Sequence, residues 1–269
     1  MKSIFRKNIV MSFFLLCLAL PALAQRTNIP LGFGEELNFR VHYGFINAGE
    51  ATIRVADNYY NINDKYCYRM EVFGRSTGAF ERVLRIRDTW ASYMDTSAFL
   101  PQKAFRNIEE GKYRQRDETF FDYDQKIARI EEADEKTKVV NLGLGRVMDM
   151  VSGYAYLRFI SYDKLKINDT IKVSGMHEDK IYKMKIVYRG KARVKTKFGK
   201  VYAHVISPVM PENKLFDGEN SIRVWLSDDG NKIPLKIQAD MFVGAVEVDL
   251  KGYKNLRFPT TLKASGEED

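Results

Sequence analysis

Most of the chain reads in steps of two. Leu37, Phe39, Val41 and Tyr43 alternate with Asn38, Arg40 and His42, and Val201, Ala203 and Val205 repeat the alternation later. Such runs are the signature of strands with one face buried and the other wet. Gly, Asn and Asp separate them, around Asn47, Gly111, Gly199 and the Asp228-Asp229-Gly230-Asn231 cluster, where hairpins need unusual backbone conformations. The pattern predicts a mainly β protein of antiparallel strands. One segment breaks it: within 146–161 the run VMDMVSGYAYLRFI places Val147, Met150, Val151, Tyr154 and Leu157 at helical spacing. Only Asp149, Ser152 and Arg158 are strongly polar there, so the helix is expected to be covered on all sides and to pack inside a curved sheet. The preceding EEADEKTK reads as a solvated loop or hairpin tip, and Asn168-Asp169 as a turn.

The segment divides the chain into two halves, 35–130 and 168–258, that look alike. Trp90, Leu100-Pro101, Lys103 and Gly111 in the first correspond to Trp225, Ile233-Pro234, Lys236 and Gly244 in the second, and Leu37 to Ile171, at offsets of 133 to 135. A proline that opens a strand suits its missing N–H. The expected architecture is a single domain over 25–263: one or more curved antiparallel sheets forming an incomplete β-barrel or two half-barrels around one buried helix.

The N-terminus adds a location. Lys2, Arg6 and Lys7 precede an apolar run from Ile9 to Leu20, and Ala22 and Ala24 are spaced as a signal peptidase requires. This predicts a signal peptide over 1–24 and a periplasmic or secreted protein. No later stretch approaches the ~18 apolar residues of a membrane-spanning helix, so no span is expected after cleavage. Acylation at Cys17 is disfavoured by the bulk of Leu15 and Leu16. Cleavage leaves Cys67 as the one cysteine, which excludes an intramolecular disulfide; between aromatic neighbours it reads as a small buried hydrophobe. The acidic tail 264–269 is expected to be disordered.

Charge alters the picture little. Of the formal +8, three positive charges belong to the leader, leaving +5 spread along strands such as KMKIVYRGKARVKTK. Anionic lipid or lipopolysaccharide is a compatible partner, whereas nucleic acid is excluded by the lack of a recognition element.

Catalytic patterns are missing. His42, His177 and His204 are far apart with no HxH or HExxH spacing, and there is no Gly-x-Ser-x-Gly elbow. Glu109-Glu110 and Asp228-Asp229 are sequence neighbours that diverge on a strand. No metal, cofactor or catalytic residue is predicted. The suggestive polar residue is Asp88, which in VLRIRDTWASY alternates onto the face of Leu84, Ile86 and Trp90 and so needs a partner, with Arg106 and Arg158 as candidates. Asp88, Trp90, Arg106, Tyr154 and Arg158 form the predicted ligand-binding set. Seventeen Phe, fifteen Tyr and two Trp supply the aromatic surface for a core or an apolar cavity.

The stretches GEELNFRVHYGFINAGEA, RDTWASYMDTSAFLPQKAFRNIEEGKY, YLRF and WLSDDGNKIPLKIQADMFVGAVEVDL resemble the exported bacterial family called domain of unknown function 3108. The resemblance covers nearly the whole mature chain and implies fold relatives without implying an activity. The last stretch is also similar, over one hairpin, to the sheet of periplasmic lipoprotein carriers, which hold acyl chains in an open barrel. The expected function is therefore a non-enzymatic periplasmic binding protein for a lipid or other amphipathic envelope component. The alternatives are an envelope interaction or assembly factor with a packed core, and thirdly a glycan-active enzyme. An apolar cavity beside the helix would mark the first, an exposed apolar patch the second, and convergent carboxylates the third. The export reading is checked by intact-mass measurement of the protein recovered from the periplasm: the mature form should begin near Gln25, and retention of residues 1–24 would contradict it.

Overall fold

A computed structural model of the chain describes residues 29–133, 135–209 and 221–263. The predicted leader and acidic tail lie outside the described residues. The first half contributes β1 (Glu36–Tyr43), β2 (Ile46–Val55), the short β3 (Tyr60–Ile62) and β4 (Lys65–Ser76). A six-residue helix α1 (Gly78–Val83) leads to β5 (Arg87–Asp95), β6 (Pro101–Glu110), β7 (Tyr113–Asp122), β8 (Ile127–Glu132) and β9 (Lys138–Asn141). After β10 (Val147–Met148) and helix α2 (Met150–Arg158) follow β11 (Thr170–His177), β12 (Lys180–Thr196) and β13 (Gly199–Val209). The last three strands are β14 (Ile222–Ser227), β15 (Pro234–Asp240) and β16 (Ala245–Lys254). Among the described residues no helix is long and apolar enough to cross a membrane.

All sixteen strands form one curved sheet that does not close. Two meanders, β1-β2-β4-β5-β6-β7 and β11 through β16, are joined where β16 pairs antiparallel with β1. The edge strands β9 and β10 do not pair with each other, and β10 runs parallel to β11. Side chains seal this seam instead: Phe121, Ala128, Leu142, Val147 and Met176 cluster across it, and the Tyr123 hydroxyl donates to the Val147 carbonyl at 2.8 Å.

The two meanders turn alike. Left-handed residues recur at offsets of 133 to 135: Gly34 and Asn168, Gly44 and Glu178, Asp64 and Gly199, Phe99 and Lys232, Gly111 and Gly244. Phe99 and Lys232, at φ 55° and 49°, each stand two residues before the proline that opens β6 or β15, a strained position for a side chain with a Cβ. Register corrects one pairing expected from sequence. Lys103 faces Tyr93 and Lys236 faces Trp225, while Pro101 faces Met94 and Pro234 faces Leu226, so Tyr93 rather than Trp90 occupies the place of Trp225.

Helix α2 lies inside the sheet, shorter than expected, because Val147 and Met148 pair as a strand. Asp149 caps it, accepting from the backbone N–H of Val151 at 2.8 Å and of Ser152 at 3.1 Å. Val151 and Ala155 pack with Leu31, Tyr68, Met70 and Met94 of the first half, whereas Tyr156, Leu157 and Ile160 pack against Ile186, Ile206 and Leu226 of the second. Cover is not all-round: Met150 is 58% exposed while the polar Ser152 and Arg158 are buried. Two strand expectations also change. His42 stays on the face away from Val41 but is buried there beside Asp249 and Glu247 of β16, while Tyr43 at the end of β1 is 38% exposed, and β13 is buried on both faces from Ala203 to Ser207, enclosing His204.

Arg158 is fully buried, with Glu35 1% exposed. Its Nη1 and Nη2 donate to the Glu35 carboxylate at 2.5 and 2.9 Å, Nη2 also to the Pro30 carbonyl at 2.6 Å, and Nε to the Asn231 carbonyl at 2.9 Å. Removing one partner strands the other charge in the core. Glu35→Ala should therefore destabilise the fold by about 3–5 kcal/mol in urea denaturation, and Glu35→Leu combined with Arg158→Met by less than the sum of the single substitutions.

Candidate functional site

Cross-strand register builds one row of neighbours along the inner face of the sheet: Leu37, Ile53, Val72, Trp90, Arg106, Asp117 and Glu132, on β1, β2, β4, β5, β6, β7 and β8. The row begins apolar and ends charged. Its apolar end supports the core on either side of α2. At the charged end the helix no longer covers the sheet, and a cleft of about 390 Å³ opens. The N-terminus of α2, from Asp149 to Val151, and the β11–β12 turn, from Met176 to Asp179, form the opposite wall.

Arg106 is the centre of the floor. Its Nε donates to Asp117 Oδ2 at 2.8 Å and Nη2 lies 2.7 Å from the same oxygen, both residues being buried. Its guanidinium carbon lies 5.6 Å from the Trp90 ring centroid, a cation–π contact, and its Nη1 is 4.0 Å from Glu178 Oε1 across the cleft. The His177 ring stacks near Trp90 at 6.1 Å. At the mouth Lys138 bridges Glu132 at 3.0 Å and Glu135 at 3.1 Å.

Both deep carboxyls titrate high. Burial raises Asp117, and Arg106 offsets this only in part. Burial likewise raises Asp149, although Ser92 Oγ at 2.6 Å, Ser152 Oγ at 2.8 Å and two backbone N–H groups donate to it.

The five residues predicted from sequence fall in three places. Trp90 and Arg106 face the cleft. Tyr154 and Arg158 sit together elsewhere in the core, Tyr154 with a buried hydroxyl that makes no hydrogen bond of standard geometry despite the nearby guanidinium. Asp88 takes neither expected partner, because Arg106 holds Asp117 and Arg158 holds Glu35. Instead its Oδ1 accepts the Glu109 N–H at 3.0 Å, and burial together with Asp88 raises the carboxyl of Glu110. Asp88 shares the face of Trp90 within β5, but that face does not continue upstream to Leu84, which precedes the strand and is exposed. Asp117, Asp149, His177 and Glu178 completed the cleft without being singled out in sequence. For Asp117 a signal exists: with Thr119 and Phe121 it alternates inward along YRQRDETFFD. Cys67 is wholly buried, and burial followed by Asp95 pushes its thiol to about 11, which disarms it as a nucleophile.

Two groups of ligand-type side chains lie outside the cleft. In the first, His42 Nδ1 contacts the Gly44 carbonyl and Nε2 faces Asp249 at 2.8 Å and Glu247 at 3.5 Å, with Lys236 on Glu247 at 2.7 Å. In the second, the Lys191 ammonium lies 2.9 Å from both Asp163 and Asp228 and so holds the place a cation would take beside His204.

A family model for a protein of unknown function, DUF3108, matches residues 38–251, most of the strands and the entire cleft. The chain belongs to the DUF3108 family. This DUF3108 chain also resembles the crystal structure of a beta-barrel-like protein of domain of unknown function DUF1849 from Brucella abortus, with TM-score 0.54 and 10% identity over 83% of this chain and 98% of that one. At that identity the likeness shows the fold alone. No curated protein matches the sequence.

The raised Asp149 gives a pH test with a fixed sign. Between the ordinary aspartate range and its folded value the folded state keeps a proton that the unfolded chain has lost, so this group lowers stability as pH rises through that window. Asp149→Asn preserves the cap and removes the titration. Urea denaturation from about pH 4 to 7 should show the variant gaining on the parent as pH rises, and a constant difference would contradict the assignment.

Proposed function

We propose that this DUF3108 protein is an exported, non-catalytic binding protein of the bacterial envelope that holds the polar end of an amphipathic ligand in the cleft beside α2. The observation that carries the reading is the inner-face row that changes from apolar at Val72 and Trp90 to charged at Arg106, Asp117 and Glu132 just where the sheet is uncovered. A site of this size suits a small molecule or a head group. Packed apolar clusters surround α2 away from this cleft, which directs the reading to the polar end of the ligand.

The lining narrows the ligand class. Arg106, Arg114 and Lys138 face six carboxyl side chains, at positions 117, 132, 135, 149, 178 and 179. The excess of acids disfavours an anionic head group and suits one bearing hydroxyls or an amine, as on an amino sugar. A binding role also fits the state of the carboxyls. Asp117 is committed to Arg106, Asp149 to four donors, and Glu132 and Glu135 to Lys138, so these four do not stand free as an acid or base poised over a vacant reacting position.

Trp90 offers a direct reporter. In a Trp225→Phe background, titration with a glucosamine-headed amphiphile should change the tryptophan emission, and Asp117→Asn should weaken the apparent affinity by about tenfold, the loss of one charge-assisted hydrogen bond. Native mass spectrometry of the periplasmic protein should show a stoichiometric small adduct. A clean apoprotein whose emission is unchanged by the amphiphile or by envelope extract would sink this reading.

A further inference from the structure

We infer that the end of the barrel carrying the β1–β2, β6–β7 and β15–β16 turns is a docking rim for an anionic lipid bilayer. The inference goes beyond the ligand reading and uses different residues. In an antiparallel meander alternate turns fall at the same end, and contacts join these turns directly. Tyr43 Oη donates to the Val243 carbonyl at 2.5 Å, Thr77 N–H at the start of α1 to Ala48 at 3.0 Å, and Gly111 N–H to Arg85 at 2.8 Å.

Apolar side chains crown this connected rim. Phe45 is 94% exposed, Val83 83%, Val243 78% and Phe242 67%, each at a hairpin tip or on α1. They project as separate points on successive turns and line no groove, a form suited to insertion among lipid head groups rather than to gripping a folded partner.

Charge selects the sign of the surface. Arg82, Arg85 and Lys112 are exposed on the same rim and make no ion pair among the described residues. Three neighbouring acids are paired with cations, Glu81 with Arg87, Glu109 with Arg114 at 3.9 Å and Asp240 with Arg223 at 2.9 Å, while Glu110 and Asp88 lie against each other with no ion pair among the described residues. Around α1 and the β6–β7 turn the three unpaired cations outnumber Asp88 and Glu110, and this local positive excess is complementary to phosphatidylglycerol. The β11–β12 turn at Glu178 and Asp179 and the β7 start at Tyr113 and Arg114 belong to the same end, so the cleft opens toward the docked surface.

Vesicle flotation of the leader-free periplasmic protein tests this, with phosphatidylcholine vesicles compared against vesicles enriched in phosphatidylglycerol. The parent should float with the anionic vesicles. Phe45→Ser with Val83→Ser and Phe242→Ser should cut binding at least about tenfold, and Arg82→Glu with Arg85→Glu should abolish the preference for anionic lipid. All five positions are exposed, so circular dichroism and melting should not move, and the Trp90 response to a soluble ligand should persist in both variants. The inference is overturned if the parent fails to float, if the rim variants float like the parent, or if the serine substitutions instead dissolve a concentration-dependent dimer seen by sedimentation. Loss of the Trp90 response with flotation intact would count against the cleft reading alone.

Discussion

A fully buried arginine ties the segments just before β1 and just after β16 to the middle of the fold. Arg158, the last residue of α2, reaches Glu35 and Pro30 just before β1 and Asn231 in the β14–β15 turn. Asn231 carries the tie onward by accepting the Phe258 N–H at 2.8 Å and donating to the Phe258 carbonyl at 2.8 Å. Asp229 fixes that turn through the N–H groups of Asn231 and Lys232 and the Thr260 hydroxyl. Burying a guanidinium is tolerable only when its donors are paired, and here the bidentate carboxylate and two carbonyls supply the partners. The junction of β1 with β16 thus forms over an anchor that names its neighbours, something that apolar packing alone specifies less sharply.

The cleft follows from where that anchor places the helix. With its C-terminus pinned beside the segment before β1 and only nine residues of length, α2 packs on the inner faces of β4 and β5 and leaves those of β6 to β8 to the cleft. Those strands must either close against another sheet edge or meet solvent. Closure fails because β9 and β10 remain unpaired, so the seam is sealed at one level by Phe121 and Met176 and stays open at the level of Arg106. Polar residues at inward positions of β6 and β7 are the consequence. They are stable because each is paired, and their pairing fixes Trp90 and Asp149 at the walls.

Period-two alternation, turn residues and one stretch of period 3.6 were enough to read a curved antiparallel sheet around a helix. The failures have specific causes. Arg158 looked like the polar remainder of an apolar helix, because a burial site for a charge depends on partners 123 and 73 positions away. Asp88 keeps the face of Trp90, but the two arginines read as its partners are held by Asp117 and Glu35, which come from other parts of the chain. Matching Trp90 with Trp225 relied on residue type, whereas the register follows the prolines and the left-handed residues before them, which displaces the match by three positions. His204 lies where β13 is covered on both faces, and there alternation carries no information. Of the cleft, Trp90 and Arg106 were legible, but the opposing wall comes from the helix cap and a distant turn that no local pattern connects.

The same topology links the cleft to the surface the protein presents. A meander sends every second turn to one end, so one set of turns can be held by Arg158 and its network while the other is free to vary. The anchored end is polar and heavily hydrogen-bonded around Asn231 and Asp229; the opposite end exposes Phe45, Val83, Phe242 and Val243 with cations beside them. A fold seldom leaves such residues at successive tips without a use, since each exposed aromatic or aliphatic side chain forgoes about 1.5–3 kcal/mol of burial. Rigidity at one end and unpaired apolar tips at the other give the molecule a direction, and the cleft opens along it.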